Sequence, residues 1–246
     1  MPACASSGAA TFSPRRIADS FGGDAHLAGL YDWLMQVTQA TGHASAWADA
    51  RGSGFGPALA PAGTGSNPTY DAVAGIGNPT STPASAACFQ TSAVAAFNPG
   101  NPVAIIAYGT QDATSEAAYA ELTDSSGEGT YVRIGGDGTH VKAKGLGSDT
   151  SIASAVAAGG TYRTMLAWVS GTTVGVDVPN QSQATATGTA NSSASAHLTL
   201  FDRWPNASPA AVCTLRGVHV IDHAPSAAEQ KMAGLIGLSR YGCQTA

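Results

Sequence analysis

Two stretches near the end of the chain, HLTLFDRW (197–204) and LRGVHVIDHAPSAAEQKMAGLIGLSRYG (215–242), decide the fold. In the second, Val218 and Val220 face one way. His219, Ile221 and His223 face the other, which is the two-residue period of a strand. Pro225 helps to stop that strand. Ser226 followed by Glu229 three residues on is a capping box, and Met232, Leu235 and Ile236 then form one apolar helical face. The whole reads as strand, loop, strand, capped helix and short tail.

The same alternation extends upstream. VAIIAY (103–108) is a continuous apolar run and predicts a buried strand. EAAYAELT (116–123), TYVRIG (130–135) and THVKAK (139–144) follow, with Gly135-Gly136-Asp137-Gly138 as a hairpin turn. YRTMLAWV (162–169) alternates, and Ser170-Gly171 turns it into TTVGVDVP (172–179). Residues 180–196 are small and polar, either a loop or an exposed edge strand. Short strands with a helix at the end predict an all-β chain, an antiparallel jelly-roll β-sandwich with a short C-terminal helix.

Before residue 100 the signals change. Residues 1–23 are Ala/Ser/Gly-rich and predict an extended N-terminal arm or a disordered leader. In DAHLAGLYDWLMQVTQ (24–39), Leu27, Leu30, Tyr31 and Leu34 recur at helical spacing, which predicts a short helix capped by Asp24. The alternative is a first strand from Leu30 to Val37. Breakers crowd residues 41–80 and predict a packed loop system, after which CFQTSAVAAF (88–97) reads as a short strand and its exit.

Composition excludes several partners. The 246 residues carry a net charge of −5, with 11% charged and 43% hydrophobic residues. That is enough apolar material for a core and too few charges for disorder. The basic residues are scattered, densest at Arg15-Arg16, so no nucleic acid partner is expected. No apolar run approaches about 18 residues, so no membrane partner is expected. MPACASSGAATFSPRR lacks a basic segment followed by an apolar one, so it does not read as a secretory signal. Cys4, Cys88, Cys213 and Cys243 form no C-x-x-C motif. Cys88 and Cys213 read as small buried hydrophobes, and Cys4 and Cys243 are near enough to the termini for a disulfide between them.

Four segments together resemble the concanavalin A-like lectin/glucanase superfamily in its laminin G-like form. They are WADARGSG (47–54) with NPTYDAV (67–73), the pair Cys88-Phe89, YRTMLAWVSGTTVGVDV (162–178), and GVHVIDHAPSAAEQ with LSRYG (217–242). The chain departs from that pattern at Val178-Pro179-Asn180, where family members often carry Asn-Gly or Asp-Gly. The resemblance covers roughly residues 30–242 and, with the arm over 1–23 set apart, implies one jelly-roll domain over 24–246. Similar modules occur in bacteriophage virions. By that analogy the expectation is a non-catalytic virion protein of the decoration or tail-fibre type. It would dock through its arm on other virion proteins or on copies of itself, and bind surface glycans.

Glycoside hydrolysis needs two carboxylates roughly 5–9 Å apart. Glucanase relatives carry them as E-x-D-x-x-E, and that string is absent here. Glu116 and Glu121, five apart, would face opposite sides of one strand. A glycoside hydrolase or a polysaccharide lyase of the same fold is the alternative, although Tyr162-Arg163 matches a lyase motif only trivially. His219 and His223, at about 13 Å along one strand, are too far apart for one metal and read as strand decoration. No cofactor is expected. Lectin-like jelly rolls often hold calcium, but no D-x-D-x-D-G string supports it, and Asp49, Asp71, Asp112 and Asp124 read as turn residues. Of the four tryptophans, Trp47 and Trp168 read as core. Trp204, with Arg203 and Asp202, is the candidate glycan-binding patch.

Overall fold

The computed structural model describes residues 12–40, 42–62, 68–77, 88–93, 95–97, 101–110, 117–124, 130–136, 140–146, 148–153, 161–179, 182–189, 195–201 and 213–244. It opens with helix α1 (Pro14–Ser20) and strands β1 (Leu27–Asp32), β2 (Val37–Ala40) and β3 (His43–Trp47). Four short strands follow: β4 (Ala60–Ala62), β5 (Thr69–Asp71), β6 (Gly75–Gly77) and β7 (Cys88–Gln90). Next come β8 (Val103–Thr110), β9 (Ala117–Asp124), β10 (Thr130–Gly136), β11 (His140–Gly145) and β12 (Ser148–Ala153). The chain closes with β13 (Tyr162–Ser170), β14 (Thr173–Val178), β15 (Ser182–Thr187), β16 (Ala196–Leu200), β17 (Thr214–Ile221) and helix α2 (Ala227–Tyr241).

The strands pair antiparallel in two sheets. One runs β15-β14-β13-β8-β17-β6-β5-β3-β2, with β1 also on β17; the other runs β12-β11-β10-β9-β16-β7-β4. The expected β-sandwich with a C-terminal helix is the observed fold. The second sheet packs on one face of β8, β13 and β14, and α2 packs on β13 and β8. This explains the apolar run in β8: from Val103 to Gly109 every residue is buried, because both faces of the strand are covered. Gly237 lets α2 lie close, since a Cβ there would run into Thr164. The Ser226–Glu229 capping box forms as read, and Gly242 ends the helix in the left-handed conformation at φ 65°.

Three local expectations are corrected. The helix predicted over 24–39 is two strands. Leu27, Leu30 and Tyr31 are buried as expected, but β1 takes its hydrogen bonds from β17. A strand covered on both faces mimics a helical pattern over so few residues. Gln36 at φ 56° lies in the turn that leads to β2, and Leu34 is exposed. The extended arm over 1–23 fails from Pro14 onward. Ser13 caps α1 by accepting from the Arg16 N–H at 3.4 Å, Pro14 starts the helix, and Ile17 and Phe21 are buried in the core. The loop system at 41–80 contains β3 to β6, whose shortness hid them among the glycines and prolines. Residues 180–196 supply the edge strand β15.

Cys88 and Cys213 are buried as expected. Cys243 is a buried thiol whose pKa desolvation pushes up to about 12; Cys4 lies outside the described residues.

Asp177 on β14 is 6% exposed, and among the described residues its Oδ2 has no hydrogen-bond partner. Desolvation raises its pKa to about 6. The folded chain therefore holds this proton up to a higher pH than the unfolded chain does. Stability falls as pH rises from about 4 to beyond 6. Asp177→Asn is expected to stabilise the protein at pH 8 by about 1–2 kcal/mol, discounted for residual solvent, and to leave it unchanged at pH 4. Urea unfolding at the two pH values tests this; equal effects at both would refute it.

Candidate functional site

The site is assembled by the register of β1 on β17. Leu27 lies opposite Ile221, so His26 and Asp222 are the next residues to meet. The Asp222 N–H donates to the His26 carbonyl at 3.0 Å. The side chains follow. His26 Nδ1 is 3.1 Å from Asp222 Oδ1, and His223 Nδ1 is 3.0 Å from the same oxygen. The other His223 nitrogen, Nε2, is 2.8 Å from Glu229 Oε1. Glu229 stands in the first turn of α2, and its Oε2 accepts from the Ser226 N–H at 2.8 Å and hydroxyl at 2.6 Å. The helix cap thus delivers a carboxylate to the back of His223. Burial alone would lower the His223 pKa, but the hydrogen bonds to Asp222 and Glu229 outweigh it and hold it above the ordinary value.

The segment after β3 supplies the other wall. The buried Asp49 carboxylate accepts from the Leu30 N–H at 3.0 Å and the Arg51 N–H at 2.9 Å. It also holds the guanidinium in a fork, Nε at 3.0 Å and Nη2 at 2.8 Å. Gly56 lets the backbone pass, because a Cβ there would strike this carboxylate. Arg51 Nη1 reaches Asp24 at 3.4 Å, and its guanidinium carbon stands 4.8 Å from the centre of the Phe55 ring. Phe55 is 49% exposed. An open cavity of about 560 Å³ lies between the walls, lined by Asp24, Arg51, Phe55, Asn101, Pro102 and Asp222 among others.

The sequence-predicted patch of Asp202, Arg203 and Trp204 lies outside the described residues, as do Asp112 and Glu116. Trp47 is fully buried and donates its indole N–H to the Asp32 carbonyl at 3.0 Å; Trp33 is buried too, and Trp168 is partly buried against the core. Glu121 is buried on β9. Asp71 caps a turn, accepting from the Val73 and Ala74 N–H groups at 2.7 Å each. His219 and His223 do not share a strand face, because β17 ends at Ile221.

His219 is no surface decoration. It is fully buried, with Tyr108 Oη 3.2 Å from Nδ1 and Tyr241 Oη 3.1 Å from Nε2. The Tyr241 hydroxyl donates to Asp32 Oδ2 at 3.3 Å, and Arg240 pairs with the same carboxylate. Burial pushes the His219 pKa down to about 3, helped by the Arg240 and Arg51 charges. α1 and α2 cover this face, and nothing in the alternation of β17 announces that cover.

The reading from sequence therefore missed His26, Arg51, Phe55, Asp222 and the second role of Glu229. The signals were slight: a histidine just before a strand, Asp-His at the end of another, and Asp-x-Arg ahead of an aromatic.

No family model matches the chain, and no curated relative matches it. Solved structures do. A Trypanosoma rangeli sialidase in complex with sialic acid aligns with TM-score 0.63 at 14% identity, over 88% of this chain and 33% of that one. The botulinum neurotoxin serotype D/C binding domain aligns with TM-score 0.59 at 7% identity, over 89% of this chain and 53% of that one. A structure described as a receptor binding domain aligns with TM-score 0.58 at 8% identity, over 90% and 53%. The chain thus spans about a third of the sialidase and half of the binding-domain chains. At such identities the likeness shows the fold alone. It overturns the expectation of a non-catalytic protein, because a glycosidase is among the structures sharing this sandwich, and the scaffold gives no ground for setting catalysis aside.

Proposed function

We propose that this chain is a carbohydrate-recognising β-sandwich whose ligand docks in the cavity beside Phe55. The observation that carries the reading is Phe55 itself, 49% exposed, with its ring stacked on a clamped guanidinium. An apolar face with a few converging polar groups is the make-up of a small-molecule site. Phe55 offers a flat face for a sugar ring, while Asp24, Asn101 and Asp222 offer hydrogen bonds to hydroxyls. The concanavalin A-like family and a virion setting are part of this proposal. They rest on the sequence resemblance and on the low charge.

A glycan array with the full chain tests it. Binding to at least one glycan class is expected, and Phe55→Ala is expected to weaken it about tenfold or more. An array with no binding, or full affinity in a folded Phe55→Ala variant, would refute the reading.

One observation favours a second reading, glycoside hydrolysis: two carboxylates, Asp24 and Asp222, line the same cavity. Release of a fluorophore from aryl glycosides, abolished in Asp24→Asn or Asp222→Asn, would establish it.

A further inference from the structure

We infer that His26, Asp222 and His223 form a binding site for one divalent transition-metal ion of the zinc class. Their ligand atoms all lie within 4.8 Å of one another. Zinc takes imidazole nitrogen and carboxylate oxygen at about 2.0–2.2 Å, so neighbouring ligands of a tetrahedral ion stand about 3.3–3.5 Å apart. Asp222 Oδ1 already stands 3.1 Å from His26 Nδ1 and 3.0 Å from His223 Nδ1. Small side-chain rotations bring the two nitrogens to the same spacing, and the His26 and Asp222 side chains, 53% and 42% exposed, have room to make them. Two imidazoles with one carboxylate suit zinc, nickel or copper. Calcium and magnesium take oxygen ligands.

Glu229 gives the cluster a feature that a chance surface grouping lacks. A metal-bound histidine almost always donates its second ring N–H to a carboxylate or carbonyl, which fixes the tautomer and the ring plane. His223 Nε2 has that partner at 2.8 Å, in a carboxylate clamped by Ser226 at its other oxygen. A bound ion would displace the proton on Nδ1, beside Asp222, while the N–H on Nε2 stays against Glu229. His26 is placed by the β1–β17 register and not by its neighbours in sequence. Three protein ligands leave a coordination position open, as in reactive rather than structural zinc sites. Asp222 also lines the cavity, so the ion would be bound by a residue of the cavity wall. The inference holds whether or not the cavity takes a sugar.

Titrating the full chain with zinc chloride by calorimetry is expected to show one ion per chain. Glu229→Gln, which keeps a residue suited to the capping box, is expected to weaken affinity about 10- to 100-fold. His26→Ala and His223→Ala are expected to weaken it further, and His43→Ala on β3 to leave it unchanged. Cobalt(II) in place of zinc should show the visible bands of a nitrogen and oxygen site, without a thiolate charge-transfer band. Because His26 is half exposed, its variant keeps the test valid if a change at Glu229 disturbs folding. No stoichiometric zinc in the wild type, full affinity in folded His26→Ala, or a thiolate band would each overturn the assignment.

Discussion

Replacing Asp49 with alanine is expected to lower stability by about 3–5 kcal/mol, the usual cost of removing one partner of a buried ion pair. The carboxylate is fully buried and the Arg51 side chain is 4% exposed. Alanine would leave the Leu30 N–H without its acceptor and the guanidinium with only Asp24, whose side chain is 50% exposed, at 3.4 Å. An unpaired buried charge is far costlier than a lost surface bridge. Asp49→Asn keeps an acceptor but not the charge, so a smaller loss is expected. Urea unfolding at pH 7 gives both values, and a loss below about 1 kcal/mol for Asp49→Ala would refute the argument. The same change frees the guanidinium under Phe55, so glycan binding should fall in parallel.

His219→Leu is expected to cost about 2–4 kcal/mol at pH 7, because the Tyr108 and Tyr241 hydroxyls lose their shared partner in a buried site. It should also remove an acid sensitivity. The histidine pKa is about 3 in the folded chain, against about 6.5 when unfolded. The unfolded chain therefore binds a proton that the folded chain refuses. The contribution of neutral His219 is complete above pH 6.5 and is lost as pH falls towards 3, at about 1.4 kcal/mol per pH unit. Other groups titrate in the same range, so the informative quantity is the difference between wild type and variant. Their stability curves should converge as pH falls from 6 to 4. Parallel curves would show that His219 takes up its proton without unfolding.

Much of the sandwich was legible because its strands carry their own pattern. β8 is continuously apolar, β13 and β14 alternate around a tight turn, and Ser226 with Glu229 marks the start of α2 within four residues. These signals are local, with periods set by backbone geometry. β1 and α1 were misread because their burial depends on distant partners. β1 is a strand because β17 accepts it, and α1 is ordered because Phe21 and Ile17 reach a core built from later strands.

The site was less legible for the same reason. By itself the sequence determined the two-layer scaffold, the helix cap and the small charge, since each follows from composition or from residues a few positions apart. Only the tertiary structure decided where the chemistry sits. Antiparallel register carries His26 to Asp222 across 196 positions, and the sheet buries His219 beneath two helices. Segments that no local pattern relates meet there because the sandwich closes only when its long-range strand pairs form.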